Sequence, residues 1–131
     1  MIGLDTNVLV RYMMQDDARQ AARANELIEA LDQDRPGFVS LTSLVELVWV
    51  LSSAYGRDRA QVSLALESLL RTAAITVERN EIAWRALRLF SSGTADFADC
   101  LIAQSGAAAG CESTVTFDRA AARDAGMVLL M

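Results

Sequence analysis

The sequence predicts an α/β domain with a central, mainly parallel sheet, because short apolar strands alternate with amphipathic helices from one end to the other. A hydrophobic content of 53% and a charged content of 22% in 131 residues suit a single domain, 1–131, that buries a core. One proline and 7 glycines leave no linker-like tract. About five strands are predicted, over residues 2–4, 38–41, 74–77, 114–117 and 127–130.

The first two helices follow the strand over residues 2–4, which stops at Asp5. From residue 6 onward, apolar residues recur at helical spacing, and the expected inward face is Val8, Leu9, Tyr12 and Met13. A second helix is predicted over residues 17–31, because Asp17 suits an N-cap and apolar residues repeat after it. Its expected inward residues are Ala22, Leu27, Ile28 and Leu31.

The centre of the chain predicts one strongly apolar helix and one amphipathic helix. Residues 32–37 hold the only proline and indicate a loop before the second strand. Thr42 or Ser43 suits the N-cap of the apolar helix, which is expected to stop near Gly56. Apolar residues then return at helical spacing over residues 59–71, ahead of the third strand.

The last part of the chain continues the alternation of helices and strands. Asn80 suits the N-cap of the next helix, and the sequence Ser-Ser-Gly after that helix indicates a turn. Gly110 is expected to end the helix that precedes the fourth strand, and Gly126 precedes the fifth strand. The predicted helices of this part cover residues 80–90, 96–109 and 120–123.

The basic residues exclude several catalytic mechanisms. All 12 are arginines, so the chain has neither lysine nor histidine. Without histidine there is no Ser-His-Asp triad, no Cys-His pair and no histidine zinc ligand. Without lysine there is no Schiff base and no P-loop lysine. Any catalysis must therefore use carboxylates, hydroxyls, thiols, arginines or a metal ion.

The cysteines and the N-terminal segment bear on the location of the protein, and the net charge bears on its partners. Cys100 and Cys111 are too few for a disulfide framework, and we expect both to be reduced and mostly buried. The N-terminal MIGLDTN reaches an acid at position 5, unlike a secretory signal, and no apolar run approaches the roughly 18 residues that span a bilayer. A cytoplasmic location with no membrane partner is expected. The net charge of −5 suits a cation-dependent site or a basic partner.

Five acidic residues stand at positions that favour a shared site. Asp5 and Asp118 each follow a predicted strand, and ligands of parallel sheets bind beyond the carboxyl ends of strands. Asp96 and Asp99 are three residues apart at the start of a helix, so they share a face. Glu46 interrupts a run of apolar residues, which predicts a half-buried or fully buried carboxylate.

Each of these acids also has a purely structural explanation. Asp5, Asp96 and Asp118 suit helix N-caps, and Asp99 lies in a first helical turn, where the helix dipole favours acids. A salt bridge to an arginine would explain Glu46. As a set, however, converging carboxylates repel one another, and a divalent cation relieves that repulsion. Ligands that are all oxygen suit Mg²⁺ or Mn²⁺.

Four segments that contain these acids resemble the motifs of PIN-domain ribonucleases. They are Leu-Asp-Thr-Asn at 4–7, Ser-Leu-Val-Glu-Leu-Val-Trp-Val-Leu at 43–51, Asp-Phe-Ala-Asp-Cys-Leu-Ile-Ala at 96–103 and Thr-Phe-Asp-Arg at 116–119. Their order and spacing, and the chain length, are similar to those of VapC-type toxins of bacterial type II toxin–antitoxin pairs. The resemblance covers the whole chain and implies a three-layer α/β/α domain.

The resemblance implies an endoribonuclease that uses Mg²⁺ or Mn²⁺. The matching positions are the catalytic and metal-binding Asp5, Glu46, Asp99 and Asp118, the additional acid Asp96, and the supporting Thr6 and Asn7. Asp5 and Asp99 are expected to be the primary metal ligands, and Glu46 and Asp118 to complete the site. Thr6 and Asn7 match residues that orient the first aspartate and a water molecule on the metal.

The resemblance also implies three partners. They are an RNA substrate, a cognate antitoxin that inserts a basic residue into the acidic site, and a second copy of the chain in a homodimer. Arg11 and Arg119 are near the acids in sequence and are candidates for contact with RNA phosphates, with ordinary surface charge as the competing explanation. Arg19 and Arg23 suit ordinary surface charge, and Trp49 suits a core position.

Other functions stay open at this point. The chain is alternatively a non-catalytic PIN-like interaction module, or a housekeeping RNA-processing nuclease without an antitoxin. A receiver domain also places acids beyond strand ends, but it needs a lysine that this chain lacks. Phosphatases that form an aspartyl phosphate carry Asp-x-Asp, whereas Asn7 stands at the second acidic position here.

Overall fold

The structure, a computed structural model, describes residues 1–131 and contains seven helices and five strands. The strands are β1 (Ile2–Gly3), β2 (Gly37–Val39), β3 (Ile75–Val77), β4 (Val115–Thr116) and β5 (Val128–Leu129). The helices are α1 (Thr6–Met14), α2 (Ala18–Glu29), α3 (Leu41–Ser53), α4 (Arg59–Arg71), α5 (Asn80–Ser92), α6 (Phe97–Ala108) and α7 (Arg119–Asp124). They form two compact units, unit 1 (Met1–Glu78) and unit 2 (Arg79–Met131). None of the helices has the length and apolar character needed to cross a bilayer.

Unit 1 is built on three parallel strands in the order β1-β2-β3. Gly37 begins the central strand at a point where a Cβ atom would come within 2.8 Å of the Leu4 side chain and 2.9 Å of the Leu31 side chain. A larger residue would therefore displace two buried leucines. The backbone N–H of Leu4 donates to the carbonyl of Phe38 at 2.8 Å, which extends the pairing of β1 and β2 as far as Asp5.

Four helices of unit 1 cover the crossovers between these strands. α1 packs against α2 and α3, and α3 packs against α4. Polar residues fix their starts: Asp17 accepts from the N–H of Gln20 at 3.0 Å, and Asp58 forms a reciprocal capping box with Gln61. The fully buried residues of this core are Leu9, Val39, Leu44, Leu47, Leu51, Val62 and Leu66.

Unit 2 consists of a helix pair and a short parallel ladder. α5 packs against α6, and the rings of Phe90 and Phe97 meet edge to face with centroids 5.6 Å apart. β4 pairs with β5 in parallel, with Val115 opposite Val128. In the last turn of α6, the absence of a side chain at Gly106 leaves room for the hydroxyl of Thr114. These contacts place the start of α6, with its two aspartates, in a packed unit.

Two predicted helix starts are wrong. α3 is capped by Ser40, whose Oγ accepts from the N–H of Ser43 at 3.1 Å, so the helix begins before Thr42. Ser40 directly follows the last residue of β2 and takes the extended conformation that an N-cap requires. Asn80 is the first residue of α5 rather than its cap, because the preceding Arg79 adopts the left-handed conformation with φ 46°.

Several predicted core positions are exposed. Ala22 is exposed, whereas Ala21 and Ala24 are buried, so the prediction for Ala22 is wrong. The predicted burial of Ile28 and Leu31 is confirmed. Tyr12 is also exposed, while Cys100 is fully buried and Cys111 is exposed just beyond the end of α6. Burial of both cysteines was therefore the wrong expectation. The spacing of apolar residues in one sequence indicates a helix, but it does not show which of several neighbouring alanines faces the core.

Candidate active site

In unit 1, two of the predicted catalytic acids border one pocket of about 460 Å³. Asp5 is the N-cap of α1, and its Oδ1 accepts from the N–H of Thr6 at 2.8 Å. The capping explanation is therefore confirmed for one oxygen of Asp5. Its other carboxylate oxygen has no hydrogen-bond partner, and the residue is exposed at the pocket. Capping and ligand binding are thus compatible at this position.

Thr6 connects Asp5 with Glu46. Its hydroxyl donates to Oε1 of Glu46 at 3.1 Å, while its backbone N–H holds Asp5. Thr6 is itself buried, so its position is set by packing. Asn7, the other supporting residue, lines the same pocket. One turn of helix therefore holds two carboxylates from segments 40 residues apart.

The expected burial of Glu46 is wrong, because its side chain is exposed. α3 buries only the stripe Leu44, Leu47, Val48 and Leu51. Trp49, expected in the core, lies on the open side of the helix and is 68% exposed. The run of apolar residues predicts a helix buried on all sides, whereas α3 is buried on one side only. The partner of Glu46 is Thr6 rather than an arginine.

Arg11 lines this pocket, but its guanidinium donates hydrogen bonds to three other side chains. Its guanidinium donates to Gln20 at 2.7 Å, to Asp16 at 3.2 Å and to the hydroxyl of Tyr55 at 3.2 Å. The Tyr55 hydroxyl in turn donates to Asp16 at 2.7 Å. The contact with Tyr55 and the charge of Asp16 raise the pKa of Arg11, and the Tyr55 hydroxyl and Arg11 lower the pKa of Asp16. This network holds the corner between α1 and α2.

In unit 2, three acids are coupled electrostatically. Partial burial raises the pKa of Asp99, and the negative charges of Asp96 and Asp118 raise this pKa further. Asp96 stands at the N-cap position of α6 but makes no capping hydrogen bond, so capping does not account for its carboxylate. Asp118 does cap α7, because it accepts from Ala120 at 2.8 Å.

The chemistry of these groups fits a hard divalent cation. Asp5, Glu46 and the three unit 2 aspartates offer only oxygen donors, which Mg²⁺ and Mn²⁺ prefer. Partial burial is the main cause of the raised pKa of Asp99, and the negative charges of Asp96 and Asp118 add to it; a bound cation would offset both. Neither unit by itself holds three or more acids or thiols close enough to coordinate a metal ion.

Comparison with known proteins places the chain in a family. The family model described as PIN domain matches residues 2–126. The chain belongs to the PIN domain family. The resemblance expected from the four acidic segments is therefore confirmed, and so is the predicted α/β class, since a PIN domain is a three-layer α/β/α fold. The match runs through both units of this PIN domain.

One curated protein is similar to this PIN domain over most of both chains. It is the VapC ribonuclease of Aquifex aeolicus (strain VF5), with 25% identity over 116 residues. The aligned part covers 88% of this PIN domain and 86% of the relative. The two chains are therefore similar in length.

Sequence reasoning missed two features around the acids of this PIN domain. Tyr55 was not singled out, and no local pattern links it to Asp16, 39 residues away. Arg19 and Arg23 line a cleft beside the acidic pocket, although they suggested only surface charge. Their spacing of four residues on one helix was the available signal. Arg119 is exposed next to Asp118, and its contact with RNA stays a prediction.

Proposed function

We propose that this PIN domain is a metal-dependent endoribonuclease and the toxin of a toxin–antitoxin pair. The observation that carries the proposal is the partly buried Asp99, whose pKa is raised by its burial and further by the negative charges of Asp96 and Asp118, all at positions that the family motifs match. The similarity to a VapC ribonuclease supports RNA as the substrate. The pairing of Asp5 and Glu46 through Thr6 supports an oxygen-rich site in unit 1.

The proposed metal ligands are the five carboxylates that match the family motifs. Asp5 and Asp99 would be the primary ligands of Mg²⁺ or Mn²⁺, and Glu46, Asp118 and Asp96 would complete the coordination directly or through water. When bound, the cation supplies positive charge that offsets the phosphodiester and lowers the pKa of a water molecule. Without it, the carboxylates would repel the substrate.

The residues of the chain have three tasks in the proposed reaction. Thr6 fixes the orientation of Asp5 and Glu46 by one hydrogen bond to each. Asn7 offers a neutral amide at the same pocket, which suits the positioning of water. Because the chain has no histidine or lysine, a carboxylate is the side chain available to accept the proton of the attacking water.

The proposed reaction is hydrolysis of a phosphodiester. The water oxygen forms a bond to phosphorus, and the bond from phosphorus to the ribose 3′ oxygen breaks. The products carry a 5′-phosphate and a 3′-hydroxyl. The ribose 2′-hydroxyl takes no part, so preference for RNA rests on the fit of the strand rather than on the chemistry.

The test is cleavage of total cellular RNA by the purified protein with Mg²⁺, with Mn²⁺ and with EDTA. Asp99→Asn is the control for contaminating nuclease. Metal-dependent cutting that Asp99→Asn loses supports the proposal. Cutting that persists in Asp99→Asn overturns the assignment of the site. No cutting by the folded, partner-free protein favours a non-catalytic module.

The proposed antitoxin is a protein that inserts an arginine or lysine among the acids. Such insertion would neutralise the carboxylates and exclude the cation, which fits a chain with a net charge of −5. Growth arrest on expression, relieved by co-expression of the adjacent gene, tests the toxin role. Arrest that no neighbouring gene relieves would indicate a housekeeping nuclease. Sedimentation velocity of the isolated protein tests the homodimer that the family resemblance implies.

A further inference from the structure

A second cleft in unit 1 has the opposite charge to the acidic pocket. It lies between α1 and α2 and has a volume of about 730 Å³. Arg11, Arg19 and Arg23 line it, and no acidic residue does. In a chain with a net charge of −5, three arginines around one cavity are a local concentration of positive charge.

Two of these arginines are uncommitted. Arg19 and Arg23 are exposed and form no ion pair, and they are one turn apart on α2. The guanidinium of Arg11, in contrast, is held by Asp16 and Tyr55. The cleft therefore has one arginine fixed in the wall and two whose donors face solvent. Guanidinium groups with free donors bind phosphate groups well.

The basic cleft adjoins the acidic pocket. Asn7 and Arg11 line both cavities, so the two share a wall. A strand whose reacting phosphate lies among the carboxylates would bring its neighbouring phosphates to this wall. The carboxylates cannot hold those phosphates, whereas Arg19 and Arg23 can.

We propose that the cleft of Arg19 and Arg23 binds the backbone phosphates of the RNA strand next to the cleavage point. The inference rests on the proposed ribonuclease function and adds the path by which the strand leaves the acidic pocket. It assigns Arg19 and Arg23 as positioning residues, since they contact phosphates that do not react. Their contribution is independent of the cation.

The experiment measures binding of a fluorescein-labelled single-stranded RNA by fluorescence anisotropy in EDTA, where no cutting occurs. Arg19→Gln combined with Arg23→Gln is compared with Arg85→Gln combined with Arg88→Gln, a matched pair on α5 that removes the same charge. We expect the α2 pair to raise Kd about tenfold or more and the α5 pair less than about twofold. The slope of log K against log salt should fall by about 1.4 for the α2 pair, about 0.7 per lost contact.

A conservative variant separates charge from structure. Arg19→Lys combined with Arg23→Lys keeps both charges and should restore most of the affinity, because binding to backbone phosphates depends mainly on charge. Equal losses in the α2 and α5 glutamine variants, or no binding by the parent protein in EDTA, would overturn the inference. Failure of the proposed function is a different result: RNA binds, but no cation supports cutting.

Discussion

Replacement of Asp99 by asparagine should stabilise the folded protein in the absence of metal. Residues three apart on a helix have Cβ atoms about 5–6 Å apart, which sets the separation of Asp99 from Asp96. Two unit charges at about 6 Å repel by about 0.7 kcal/mol in water and by about 3 kcal/mol at an effective dielectric constant of about 20. Because Asp96 and Asp118 are exposed, the value near that of water applies, and this repulsion together with the cost of partly burying the Asp99 charge gives about 1 kcal/mol.

The expected change in melting temperature follows from the size of the chain. Unfolding entropies of about 2.1 cal/mol/K per residue convert about 1 kcal/mol into a shift of about 4 °C for this protein. Differential scanning calorimetry in EDTA at pH 7.5 should therefore show Asp99→Asn melting higher than the parent protein. If the proposed site binds Mg²⁺, a Mg²⁺ concentration of ten times its Kd should stabilise the parent protein by about 1.4 kcal/mol. The Asp99→Asn variant should gain much less.

The pH dependence gives the sign of the effect independently. The pKa of Asp99 is raised in the folded state, so its repulsion appears as the pH rises through that pKa and persists above it. The advantage of Asp99→Asn should shrink as the pH falls from 7.5 through the raised pKa of Asp99, because protonation removes the negative charge of that carboxylate. A variant that melts lower than the parent in EDTA at pH 7.5, or an advantage that does not depend on pH, would refute the reasoning.

Three further predictions concern residues around the two acid groups. Glu46→Gln should cut RNA about 100-fold more slowly than the parent protein. Its melting temperature should stay within about 1 °C of the parent's, because Glu46 is exposed and an amide oxygen still accepts the hydrogen bond from Thr6. A large loss of stability would indicate a structural role for Glu46. Asp118→Asn should keep the cap of α7 and lose cleavage, whereas Asp118→Ala should also lose about 1 kcal/mol of stability, measured by urea unfolding; equal stability of the two would contradict the capping role. Tyr55→Phe should raise the pKa of Asp16 toward its usual value, which NMR titration measures. The variant should therefore be less stable than the parent above the normal aspartate pKa and equally stable in acid, where Asp16 is protonated in both. An unchanged pKa of Asp16 would show that the hydroxyl is not its main partner.

The helices, strands and acidic positions could be predicted because their signals are local. The spacing of Asp96 and Asp99 puts both on one face of a helix in any fold, and Asp118 directly precedes a short helix. Glu46 and Trp49 were misplaced because hydrophobic residues indicate burial only on average, and α3 exposes one apolar side. The hydrogen bond from Tyr55 to Asp16 could not be predicted, because it joins segments that only the tertiary structure brings together.

The unequal burial of the two cysteines makes the native chain ready for site-specific labelling. Cys111 is exposed, Cys100 is fully enclosed, and there is no lysine to compete for thiol reagents. A maleimide spin label should therefore attach to one position per molecule without any mutation. Pulsed electron paramagnetic resonance would then report a single distance between labels in a two-fold assembly and none in a monomer. The same thiol, left unprotected in an oxidising buffer, would join two copies covalently, so a reductant belongs in every measurement of association.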